Sequence, residues 1–96
     1  MKLSIHIDNF LKRAAGDNRL LPSHISLFMA IFYYSPDGST DSFFRVSRRQ
    51  LMRYSRIRSI ATYHKCVREL VEYGYIEYVP SYDPFRASKM AIVGNS

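Results

Sequence analysis

A single cysteine, Cys66, stands among the 96 residues, which excludes an internal disulfide and suits a reducing cytoplasm. No basic start leads into an apolar stretch with a cleavage site, so no secretory signal is expected. The most apolar run, Ile25 to Tyr34, falls far short of the ~20 residues that cross a bilayer, so no membrane partner is expected. Metal chemistry lacks its spacing: His6, His24 and His64 are remote in sequence and form no His-x-x-x-His pair. The serines follow no Gly-x-Ser-x-Gly pattern, no glycine-rich loop cradles a phosphate, and the few acids are scattered. These absences predict a cytoplasmic protein that is no enzyme and uses no cofactor or metal, and they point to no small-molecule effector, whose presence stays open.

The most telling absence is of acidic residues between Phe44 and Glu69. Eight cations lie there unopposed: Arg45, Arg48, Arg49, Arg53, Arg56, Arg58, Lys65 and Arg68. Before Arg45 the charges cancel, with Lys2, Lys12, Arg13 and Arg19 against Asp8, Asp17, Asp37 and Asp41. The whole net charge of +6 therefore arises from Arg45 onward. Such asymmetry points to nucleic acid or another anionic surface. Nearly half the residues are apolar and 15% are aromatic, enough for one core in a domain spanning 1–96.

Local signals divide the chain. Asp8 is expected to cap a short first helix on Ile7, Phe10, Leu11 and Ala14, which Gly16 ends. Pro22-Ser23 opens a second helix running to Tyr34, apolar nearly all round, which must be covered on several sides. Residues 35–42 read as a polar turn, and Phe43 to Val46 as a short strand. Ser47 and Gln50 form a capping box for the next helix, which ends near Tyr54. Ser55 to Arg58 make the turn, Ser59 caps a helix to Tyr73, and Gly74 stops it. Tyr75 to Val79 and Ser88 to Val93 read as two strands of a hairpin.

On the helix over 59–73, Tyr63, Cys66, Val67, Leu70 and Val71 share one arc with Ile60 at a period of 100° per residue. That arc is the expected core face. Ala61, His64, Lys65 and Arg68 lie opposite, with Arg58 and Thr62 on the flank. A helix that enters a major groove needs small and basic residues on the exposed face of its first turns. Glu69 and Glu72 come only in the last turns, away from the N-terminal half, whereas a merely solvated face mixes both signs. His64, Lys65 and Arg68 are the candidates for reading bases, and Thr62 for a phosphate. Arg48 and Arg49 oppose the dipole at their helix start, which suits phosphate clamping better than folding. Cys66 is expected to be a small buried filler.

Strand, capped helix, tight turn, helix, glycine and hairpin follow in the order of a winged helix-turn-helix. The residues that resemble that family are Val46-Ser47-Arg48-Arg49-Gln50-Leu51, Ser59-Ile60-Ala61-Thr62-Tyr63 and Arg68-Glu69-Leu70-Val71-Glu72-Tyr73-Gly74-Tyr75-Ile76. The resemblance covers about residues 22–93. It implies an α+β fold, mainly helical, with an N-terminal helical extension (1–20), a helical core (22–73) and a wing (75–93). The turn at 55–58 is a residue longer than the family pattern and lacks its usual glycine, so which of residues 58–61 enters the groove stays open. Wings of this family touch the adjacent minor groove or backbone, which would give Arg86 and Lys89 a role. The stretch Tyr75 to Pro84 more loosely resembles small winged-helix proteins of conjugative transposons and phages.

The expected function is sequence-specific binding of double-stranded DNA, as a transcriptional regulator or mobile-element accessory factor. The alternatives are the DNA-binding module of a replication initiator and a winged-helix protein–protein adaptor. An adaptor has no need of eight unopposed cations. A homodimer is expected, with the second helix and the N-terminal helix as its surface, because one recognition helix and a wing give a small footprint.

Overall fold

The computed structural model describes residues 2–36, 42–83 and 85–93, with side chains from Ile7 onward. Most of the polar turn expected over 35–42, and Pro84 of the hairpin, lie outside the described residues. Four helices hold about half of the chain: α1 (Lys2–Ala15), α2 (Pro22–Tyr34), α3 (Arg48–Ser55) and α4 (Ile60–Glu72). Strands β1 (Phe44–Val46), β2 (Ile76–Val79) and β3 (Ser88–Ile92) form one antiparallel sheet in the order β1-β3-β2. Among the described residues, no helix is long and apolar enough to cross a membrane.

The capping signals act where the sequence places them. Ser47 Oγ accepts the Gln50 N–H, and Gln50 Oε1 accepts the Ser47 N–H in return. Ser59 Oγ accepts the Thr62 N–H at 3.2 Å and starts α4. Gly74 takes φ +83°, the left-handed conformation that releases the chain from α4 into β2. A second left-handed residue is not a glycine: Arg56 closes α3 with φ 64°. Ser55 beneath it is buried; its hydroxyl accepts the Ile57 N–H, and its carbonyl accepts the Ser26 hydroxyl of α2. Ile57 is buried too, so the turn is pinned to the core between two exposed arginines, Arg56 and Arg58.

Arg56→Gly is expected to raise stability. A left-handed L-residue costs roughly 1–2 kcal/mol, and glycine's greater loss of backbone freedom returns roughly 0.5–1 kcal/mol of that. Urea denaturation should show a net gain of about 0.5–1 kcal/mol. A loss would mean that the Arg56 side chain itself holds the turn.

The N-terminal helix differs from expectation. It runs from Lys2, so Asp8 lies within the helix rather than at its cap, where it pairs with Lys12 one turn on at 2.9 Å. Phe10 stacks on Phe28 of α2 with centroids 3.7 Å apart, and meets the Tyr75 ring edge-on at 5.6 Å. Arg13 donates to the carbonyls of Tyr73 (2.9 Å) and Gly74 (3.2 Å), while its guanidinium lies 4.0 Å over the Tyr75 ring. An arginine on α1 thus satisfies carbonyls at the C-terminal end of α4. The Tyr75 hydroxyl donates to Asp17, and Arg19 holds the Asp17 carboxyl well below its ordinary range by hydrogen bonding.

The apolar α2 finds its cover within the chain. It packs on α3, α4 and β3, and Leu27, Phe28, Ala30, Ile31 and Phe32 are buried. Beyond Pro22 at its start, the residues of α2 that stay exposed are Met29 and Tyr33. Tyr33, Tyr34 and Tyr54 of α3 meet there, with ring centroids 5.0 to 5.4 Å apart.

Candidate nucleic-acid interface

Helix α4 separates its residues as the 3.6-residue repeat requires. Tyr63, Cys66, Val67 and Leu70 are buried, whereas Ala61, Thr62, His64, Lys65 and Arg68 are exposed. Two residues expected in the core arc are not there. Ile60 is 50% and Val71 39% exposed. Both sit about 70–90° from the centre of the buried arc, so they form its open margin. Ile60 joins Ala61 in the exposed first turn of α4. An apolar side chain there suits a thymine methyl group, a contact that charge alone does not signal.

The two acids of α4 lie in its second half, and its first two turns carry none. Glu69 turns inward, where its Oε1 accepts the Nε2–H of buried His24 at 2.8 Å. The other ring nitrogen, Nδ1, accepts the Leu21 N–H at 2.9 Å, which fixes the tautomer and closes the start of α2. The hydrogen bond from His24 lowers the Glu69 carboxyl from its ordinary value; burial opposes this, and the charges of Lys65 and Arg68 add to it. Glu72 stands in the last turn, with its carboxylate 3.9 Å from Arg68 in an exposed and loose pair.

At the start of α3, Arg48 and Arg49 are exposed in the first turn. Burial pushes the Tyr63 phenol up to about 12; nearby Tyr78 of β2 adds to this and the Arg48 charge opposes it. Arg58 projects from the turn just before the Ser59 cap. Arg53 belongs to a different neighbourhood: its guanidinium lies 6.0 Å from the Tyr54 ring, within the tyrosine cluster.

The sheet brings in a cation that the sequence analysis left out of the candidate site. Arg45 alternates with buried Phe44 and Val46, which turns it to the outer face of β1. Its register partner is Lys89 on β3, so two like charges stand directly opposite each other. The Arg45 guanidinium also donates to the Ala87 carbonyl at 2.7 Å and ties β1 to the hairpin. Arg86 is exposed near the hairpin tip, and Lys89 is half-buried where the loop meets the strands, opposite Val79. Alternation about Arg45 was the signal available in the sequence.

The cations outside this region contrast with those inside it. Lys12 pairs with Asp8, Arg13 with two carbonyls and Arg19 with Asp17. Among the described residues, none of Arg45, Arg48, Arg49, Arg56, Arg58, Lys65, Arg86 and Lys89 makes an ion pair. Among the described residues there is also no group of three histidine, cysteine or acidic side chains fit to hold a metal ion. Comparison with protein-family models, curated proteins and solved structures finds no match to this chain.

Proposed function

We propose that the protein is a winged helix-turn-helix that binds double-stranded DNA sequence-specifically, as a transcriptional regulator or a mobile-element accessory factor. One observation carries the proposal: Lys12, Arg13 and Arg19 are bonded within the chain, while Arg48, Arg49, Arg58, Lys65 and Arg86, on α3, the turn after it, α4 and the hairpin, are exposed and, among the described residues, make no ion pair. Like charges left together raise the energy of the folded chain, and a phosphate backbone is the partner that relieves them. The order of elements supports the same proposal, with a three-stranded sheet joining β1 to a hairpin that follows α4.

In this proposal α4 enters the major groove. His64, Lys65 and Arg68 meet base edges, Ile60 and Ala61 meet apolar edges, and Thr62 meets a phosphate. Arg48, Arg49 and Arg58 grip the backbone beside it, and Arg45, Arg86 and Lys89 hold the hairpin to the neighbouring strand. A homodimer on two half-sites would extend the footprint, and the patch of Tyr33, Tyr34 and Tyr54 is the surface that would carry it.

Titration of duplex binding against salt tests the proposal. If six to eight cations each neutralise a phosphate, log Kobs should fall with log[salt] at a slope of about −5 to −7. No duplex binding at low salt would leave the adaptor alternative in its place.

A further inference from the structure

The tip of the β2–β3 hairpin carries two side chains that the fold does not use. Tyr82 and Phe85 are each 94% exposed, and among the described residues neither ring contacts another ring or a cation. Their neighbours build the turn. The Asp83 N–H donates to Ser81 Oγ (3.3 Å), the Phe85 N–H to Asp83 Oδ1 (2.9 Å) and the Arg86 N–H to the Asp83 carbonyl (3.1 Å). Across the hairpin, the Ser81 N–H donates to Ser88 Oγ at 3.3 Å. Serine and aspartate are the residues that make such turns, and no aromatic is needed between them. The bonded residues beside them leave two large rings presented to solvent.

Charge selects what those rings meet. Arg86 adjoins Phe85, and Lys89 faces Arg45 where the loop meets the strands. Asp83 is the single acid between Pro80 and Lys89, and one of its oxygens accepts the Phe85 N–H. Aromatic rings flanked by cations match a nucleobase and its phosphate: the ring stacks on the base face while the cation neutralises the backbone. In a duplex such rings act as wedges at a base step that is kinked or opened.

We propose that Tyr82 and Phe85 stack on nucleobases at a distorted or unpaired step next to the duplex held by α4. The proposal rests on the DNA-binding function above and adds a second mode of contact, one that favours DNA whose stacking is already broken.

The test compares two probes by fluorescence anisotropy: a fully paired duplex, and the same duplex with a central bulge of unpaired thymines. The intact protein should bind the bulged duplex about 10-fold tighter. The double variant Tyr82→Ala/Phe85→Ala should bind both probes alike, with paired-duplex affinity within about twofold of the parent and an unchanged melting temperature. Arg48→Ala/Arg49→Ala should weaken both probes by the same factor. Equal binding of both probes by the intact protein overturns the stacking proposal and leaves duplex binding standing. A double variant that keeps the bulge preference, or that changes only self-association, overturns it as well. Binding to neither probe overturns both proposals together.

Discussion

Replacing Lys65 and Arg68 together with alanine is expected to lower affinity for a duplex selected from a random pool by about 100-fold, on the order of 3 kcal/mol for two base contacts. The same variant should lose far less on a scrambled duplex, since base contacts specify while phosphate contacts mainly hold. Both side chains are exposed on α4, so the melting temperature should stay within a few degrees of the parent. Arg48→Ala/Arg49→Ala supplies the contrast. It should weaken every sequence evenly and make the salt slope shallower by about 2. If Lys65→Ala/Arg68→Ala also weakens selected and scrambled duplexes by one factor, α4 does not read bases.

Phe10→Ala is expected to destabilise the protein by about 3–5 kcal/mol, as other large-to-small aromatic changes in cores do. At ~4–8 °C per kcal/mol for a chain of this size, the melting temperature should drop by roughly 12–40 °C. The reason is geometric. Phe10 is the residue through which α1 reaches both α2, by stacking on Phe28, and the start of the hairpin, by its edge contact with Tyr75. Leu11 beside it is half-exposed, so Leu11→Ala should be nearly neutral. A mild effect of Phe10→Ala would instead make α1 an appendage to the domain.

Local punctuation made most of the element boundaries legible. Pro22, the Ser47–Gln50 box, Ser59 and Gly74 each act within a few residues of themselves, and the helices begin and end beside them. The β2–β3 hairpin was legible in the sequence, but the place of β1 beside it was not, because the pairing of Arg45 with Lys89 joins segments far apart in the chain. The cover of α2 was hidden for the same reason: its apolar sides meet α3, α4, β3 and Phe10, and the sequence alone left a second subunit as a candidate partner. His24 looked like a lone histidine, yet it bonds Glu69 across 45 residues and so removes one acid from the outer face of α4. Ile60 and Val71 were misplaced because a helical wheel gives an angle, while the width of the buried arc depends on neighbours the wheel does not contain. The exposed cations were foreseeable because charge without an opposing sign is costly to bury.

The bonds from Arg13 to Tyr73 and Gly74 fall on the joint between α4 and β2. In the proposed complex that joint sets the angle at which helix and hairpin straddle the sugar–phosphate ridge. Because Arg13 is fastened to the joint when the chain folds, the freedom of that angle is surrendered before any DNA is met. The protein then behaves as calipers already set to one opening, and a residue remote from the groove decides which groove width they fit.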